Sequence, residues 1–245
     1  MSDLTRSRLL AACVGAALAA VTHAGAAQTP PSSDASPANA LTPAEQAAGW
    51  HLLFDGKTGA GWRGFRQDSL PAGWRVVDGA LTRVAAAGDI ITRQQFANFE
   101  LRLEWNIAEG GNSGVFYRVS EDDDATYWSG PEMQVLDDAR HPDGQSRLTA
   151  AGSCYGMYPA RAGVVKPAGQ WNAVRIVVNG HHVEQWLNGV KLVEYEFGSA
   201  DWTARMKASK FAVHPHYGRN ATGYIGLQDH GDGVAFRNIK IRVLP

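Results

Sequence analysis

A chain of 245 residues has room for one domain with an ordinary core plus appendages. Its net charge of −1 excludes the basic footprint of a nucleic-acid binder. Eight Trp, seven Tyr and 27 Gly point to a strand-rich, turn-rich protein able to stack on flat faces such as sugar rings.

At the N-terminus, Arg6 and Arg8 precede an apolar run from Leu9 to Val21, and small residues follow at Ala24 to Ala27. This reads as a secretory signal peptide over residues 1–27, too short to anchor the chain across a bilayer. The expected location is therefore outside the cytoplasm, in the periplasm, with no membrane span. After removal of the leader only Cys154 remains, so no internal disulfide can form, and Cys154 reads as a small buried hydrophobe. Residues 28–47 are rich in Pro, Ser and Ala and read as a flexible linker that includes one helical turn in LTPAEQAAGW. The folded domain is expected over residues 48–245.

Strand signals fill that domain. WRVVDGALTR (74–83) has alternating residues around Asp78-Gly79, a hairpin signature. In NFELRLEWNIAE (98–109), Leu101, Leu103, Trp105 and Ile107 share one face, and Glu100, Arg102, Glu104 and Asn106 the other. NSGVFYRVS (112–120) and PEMQVLDD (131–138) follow. WNAVRIVVNGHHVEQWLNGVKLVEYEF (171–197) reads as a three-stranded meander punctuated by Asn179-Gly180 and Asn188-Gly189. A short helix fits 200–209, and GYIGLQDHG (223–231) and VAFRNIKIRVL (234–244) close the chain. Roughly ten short strands with tight turns predict an all-β sandwich or barrel.

Glu132 and Gln134 are two apart and share a strand face, with Met133 and Val135 on the other. Asp137 has the wrong parity and would join them only through a bulge. Polar-parity residues on other strands are Glu104, Arg118 and Trp186. A curved sheet could gather these into one groove, with carboxylates and amides for sugar hydroxyls and Trp186 for stacking. Each also has a plainer reading: Glu104 and Arg118 as an exposed ion pair, Asn112 and Ser113 as turn formers in GGNSG, and Trp186 as a rim residue.

The segments LLFDGKTGAGW (52–62), NFELRLEW (98–105), GGNSGVFYR (110–118), PEMQVLDDARHPD (131–143), WNAVRIVVNGHHVEQWLNGVKLVEYE (171–196) and GYIGLQDHGDGVAFRNIKI (223–241) together resemble the motifs of the 3-keto-disaccharide hydrolase family. The resemblance covers about residues 48–244. It implies a concanavalin A-like jelly-roll β-sandwich of two antiparallel sheets, shared with legume lectins and laminarinase-type glucanases. It also implies cleavage of glycosides already oxidised to a ketone at C3.

Laminarinase-type glucanases carry Glu-x-Asp-x-x-Glu on one strand; the similar spacing here reads Glu132-x-Gln134-x-x-Asp137. An amide at the centre and a shortened last carboxylate argue against plain retaining hydrolysis, which needs two carboxyls roughly 5–5.5 Å apart. A 3-ketoglycoside offers another route: loss of the acidic C2 proton, elimination of the aglycone and hydration. On this reading Glu132, His230 and Asp137 are the catalytic candidates, with Glu132 as base or metal ligand and His230 as acid/base or electrophile. Glu104, Asn112, Arg118, Gln134 and Trp186 are the substrate-binding candidates, Arg118 also as an enolate-stabilising cation. The alternative is a non-catalytic carbohydrate-binding module of the same fold.

No cofactor is certain. A divalent metal ion is the one left open, with unknown ligands. His214 and His216 are a weak pair for it, and 121–126 (EDDDAT) is an acidic run that lacks spaced calcium ligands. The chain has no nucleotide-binding motif, so oxidation at C3 would fall to a separate sugar 3-dehydrogenase acting upstream.

Overall fold

The computed structural model describes residues 38–245; the leader expected at 1–27 and the first part of the 28–47 linker lie outside the described residues. From Asn39 onward the chain is tied to the domain. The backbone N–H of Asn39 donates to Asn238 Oδ1 at 2.6 Å, and that of Asn238 to Asn39 Oδ1 at 2.8 Å. Helix α1 (Pro43–Ala47) forms in the stretch read as a helical turn. Thr42 and Glu45 cap it reciprocally, and Pro43 sits in the first turn, where a missing N–H leaves no bond unmade.

Thirteen strands, numbered in chain order among the described residues, make two sheets in which every pairing is antiparallel. The larger sheet runs β11 (Val190–Glu196), β10 (His182–Leu187), β9 (Asn172–Asn179), β6 (Phe99–Ile107), β13 (Val234–Val243), β4 (Ala80–Arg83) and β3 (Trp74–Val77), with β1 (Trp50–Leu52) also on β13. The smaller runs β2 (Trp62–Gly64), β5 (Ile90–Phe96), β12 (Gly223–Leu227), β7 (Asn112–Val119) and β8 (Glu132–Leu136). One helix, α2 (Ala200–Ala208), falls where the sequence allowed it.

The result is the expected jelly-roll-like sandwich. Its single main core takes Leu101, Leu103, Trp105 and Ile107 from β6, and Val115, Tyr117, Met133 and Val135 from β7 and β8. Period-two alternation thus reports correctly which side of each strand is buried.

The turns follow local chemistry. Asp78-Gly79 (φ 48° and 74°) and Asn188-Gly189 (φ 48° and 82°) are the positive-φ pairs of a type I′ turn. Asn179-Gly180 differs. Asn179 stays in β9 opposite His182, so the two turn residues are Gly180, at φ 61°, and His181. A Gly-first turn needs positive φ only at its first position.

Candidate active site

β7 and β8 pair with Gly114 opposite Gln134 and Phe116 opposite Glu132. Directly paired residues share a face, so Glu132, Gln134 and Asn112 point away from the main core. Gly114 makes the space: a Cβ there would lie 2.1 Å from Glu132 Oε1. β8 is a sheet edge, and the following loop covers it. Gln134 N donates to Ser153 O at 3.1 Å, and Tyr155 N donates to Glu132 O at 3.0 Å. That pairing brings Tyr155 beside Glu132.

A cleft of about 310 Å³ opens over this face. Glu132, Gln134, Asn112 and His230 line it, together with Asp89, Tyr127, Tyr155, Lys210, Gln228 and Asp229. Among these, Lys210 supplies the sole ammonium or guanidinium. Ser209 caps the short turn that carries it, accepting from Phe211 N at 3.1 Å, and its Nζ lies 4.3 Å from the centroid of the Tyr155 ring.

Glu132 is 5% exposed, and among the described residues no hydrogen bond reaches its carboxylate. Burial pushes its pKa up to about 8; Lys210 opposes the rise, and Asp89 and Asp143 add to it. Burial also raises Asp89, against hydrogen bonds from the Thr126 hydroxyl and Asp229 N. Burial, with Asp143 and Glu132 nearby, lifts the Tyr155 phenol to about 12, so it stays a donor at neutral pH. Three amide oxygens in the same cleft, Asn112 Oδ1, Gln134 Oε1 and Gln228 Oε1, are buried without a partner among the described residues. Unpaired buried acceptors await a donor, and a sugar presents several hydroxyls.

Asp229 holds the loop that displays His230. Its carboxylate accepts from Arg83 Nε (2.7 Å), Ala87 N (2.7 Å), Gly88 N (2.9 Å) and Gly231 N (3.0 Å). Burial works the other way, but these bonds keep the acid below its ordinary range. His230 itself is exposed, its ring 6.4 Å from that of His141.

Four expected site residues lie elsewhere. No bulge turns Asp137 into the cleft; its carboxylate accepts from Gly110 N (2.8 Å) and Ala139 N (3.2 Å) and shapes the turn after β8. Hence the glucanase-like pairing of Glu132 with Asp137 is not made. Glu104 and Trp186 face outward from the larger sheet: Glu104 accepts from Arg237 Nε at 2.7 Å, and Trp186 Nε1 donates to Glu184 at 2.8 Å with Arg175 over its ring. Parity gives the side of a strand but not the sheet it joins. Arg118 is redirected by a bulge. Val119 faces Tyr224 while Phe116 faces Gly226, so β7 carries an extra residue, and Arg118 takes φ 54°. It lines a different cavity.

Asp89, Tyr127, Tyr155, Lys210 and Gln228 line the cleft without having been among the expected site residues. All but Gln228 come from loops or short turns with no periodic signal; Gln228 alone continues the parity of a strand already identified.

The metal candidates separate as well. His214 stacks on Trp128 at 4.9 Å and His216 pairs with Asp123 at 3.1 Å. In the acidic run, Glu121 pairs with Arg63, Asp124 with Arg66 and Asp123 with His216, so its carboxylates point to separate partners. Among the described residues, His182, Glu184 and Glu194 offer ligand atoms within 4.8 Å of one another. That group lies on the larger sheet, where Lys191 Nζ already sits 3.2 Å from Glu184 and 2.6 Å from Glu194.

This is an antiparallel sandwich of the jelly-roll class, with an acidic cleft lined by unpaired acceptors. The chain belongs to the 3-keto-alpha-glucoside-1,2-lyase-like domain family, whose sequence profile matches residues 49–242. A 3-keto-disaccharide hydrolase of Bacteroides thetaiotaomicron is 39% identical over 180 residues, covering 64% of this chain and 62% of that protein. The chain thus spans about three fifths of that relative's length. Two crystal structures of candidate glycosyl hydrolases from Parabacteroides distasonis are also similar. One has a TM-score of 0.79 and 36% identity, covering 85% of this chain and 100% of that one. The other has a TM-score of 0.66 and 30% identity, covering 80% and 99%.

Proposed function

We propose that the protein is a secreted, periplasmic enzyme that cleaves 3-keto-glycosides by elimination and hydration, with Glu132 as the base. The observation that carries this reading is the Glu132 carboxyl itself: buried, unpartnered, and facing a cleft with one cation and three unsatisfied amide oxygens. A family described by a 1,2-lyase activity and a relative named as a hydrolase fit the two halves of one route.

The ketone at C3 acidifies the C2 proton. Glu132 takes it, and the electron pair forms the C2–C3 enolate. A carboxylate with a raised pKa is a stronger base than an ordinary one. Lys210 stabilises the enolate oxygen, the role first expected of Arg118. As the ketone re-forms, the C1–O bond breaks and the aglycone leaves, receiving a proton from His230. Water then adds: its oxygen bonds to C1 as His230 takes one of its protons, and Glu132, exchanged with solvent, returns a proton to C2, so both groups are restored. The net change is glycoside plus water giving a 3-keto sugar plus an alcohol. Asn112, Gln134 and Gln228 accept from the sugar hydroxyls. A separate sugar 3-dehydrogenase would supply the substrate.

The same oxygens would also suit a hard divalent cation. The test is therefore turnover of a glucoside and of its 3-keto derivative, each with and without a chelator. Aglycone release from the keto sugar alone is the expected result. Loss on chelation adds a metal to the site. Release from neither, with saturable sugar binding, would turn the reading to a lectin-like binding module.

A further inference from the structure

β5 and β7 start beside the Glu132 cleft and β12 ends there; their other ends border a second cavity of about 580 Å³. The two cavities share no lining residue. This one is walled by the aromatic rings of Phe197, Trp202 and Tyr217 and carries Arg118, Lys207 and Arg219, with no carboxylate among its lining residues.

Arg118 is its unusual member. It is 6% exposed, and it is the one arginine among the fully buried polar residues described. Its Nε and Nη2 donate to Ala97 O at 3.3 and 3.1 Å, and Nη2 also donates to Gly180 O at 2.8 Å. The guanidinium lies 5.2 Å from the Phe197 ring centroid. Among the described residues, Nη1 has no hydrogen-bond partner and no carboxylate pairs with this cation. By contrast, Arg83 pairs with Asp229, and Arg102, Arg175 and Arg242 all pair with Glu100. A buried charge is ordinarily paired, and leaving one unpaired is unfavourable.

The backbone is also arranged to hold Arg118 there. Its φ of 54° is unusual for a residue with a side chain. Asn220 Nδ2 donates to its carbonyl at 3.1 Å, and a Cβ on Gly223 would lie 2.3 Å from its carbonyl carbon, so only glycine allows the close approach.

We propose that this cavity binds a ligand bearing an oxyanion on a flat apolar body, with Arg118 as the anchor. The oxyanion takes the free Nη1 edge and supplies the missing counter-charge. The flat body lies against the aromatic wall, and Lys207 and Arg219 at the mouth attract the anion. The site is independent of the cleft chemistry above.

Calorimetric titration of the purified protein with 2-naphthoate, its uncharged methyl ester and 2-naphthyl phosphate tests this. At least one oxyanion should bind about tenfold or more tightly than the ester, and the tighter of the two identifies the headgroup. Arg118→Met should weaken that binding about tenfold or more. Lys207→Ala with Arg219→Ala should weaken it a few-fold and flatten its salt dependence. Glu132→Gln should leave it unchanged, which separates this site from the cleft. Equal binding of acid and ester, no saturable binding at millimolar ligand, or binding unchanged in Arg118→Met would overturn the proposal. If Arg118→Met does not fold, the acid-to-ester ratio and the Lys207/Arg219 variant decide it.

Discussion

Burial of the Glu132 carboxyl in the cleft works against stability once the group ionises. Its ordinary pKa of 4.5 rises to about 8 in the folded cleft. Between those values the unfolded chain has released a proton that the folded chain retains. The contribution of Glu132 to stability is therefore fully present below about pH 4.5 and falls as pH rises towards 8. Glu132→Gln removes this dependence, so at pH 8 the variant should be more stable by roughly 2–5 kcal/mol, read as a higher Tm. Its turnover should fall by about 10²–10⁴. Lower stability together with normal turnover would refute both roles. For the wild type, kcat/KM should climb with pH through an apparent pKa near 8, because the base must be ionised. The Lys210 ammonium opposes the rise in Glu132. Lys210→Met should therefore move that inflection to higher pH and lower kcat by roughly 10²-fold. An unmoved inflection would take Lys210 out of the site.

At the scale of elements, β7 makes room for β8. Gly114→Ala would put a methyl group 2.1 Å from Glu132 Oε1. The clash falls on the far end of a flexible side chain, so the sheet should survive while the carboxylate is displaced. A loss of roughly 10–10²-fold in kcat with an unchanged circular dichroism spectrum is expected; full activity would mean that the position of the carboxylate is not critical. Asp229→Ala removes the acceptor for three backbone N–H groups and Arg83. It should lower stability by about 2–4 kcal/mol in denaturant titrations. What the sequence made legible at this scale follows from what is local. Asp78-Gly79 and Asn188-Gly189 set their own φ angles, and Glu132 and Gln134 share a face because the strand period is two. At Arg118 a one-residue bulge reverses parity and leaves no mark in composition. Asp89, Tyr155 and Lys210 reach the cleft through loops, whose paths depend on the assembled sandwich.

On the scale of the whole molecule, the two sheets do different work. Along the outer face of the larger sheet, charged residues pair with one another, most densely at Glu100, which receives Arg102, Arg175 and Arg242. This explains why Glu104 and Trp186 looked like groove residues in sequence: polar parity is common to a binding face and an ion-paired one. Among the described residues, the smaller sheet leaves Asn112 Oδ1 and Gln134 Oε1 without a partner beside Glu132, and Arg118 without a counter-charge near the far strand ends. Among the described residues no helix is long and apolar enough to cross a membrane. In the proposed route Glu132 takes a proton from C2 before the glycosidic bond breaks. Cleavage of a 3-keto-glucoside in D2O, stopped early and read by NMR against an enzyme-free control of the 3-keto product, tests it most directly. Deuterium should appear at C2 of the released sugar in step with turnover. Release with C2 still fully protonated would contradict it and return the cleft to direct hydrolysis.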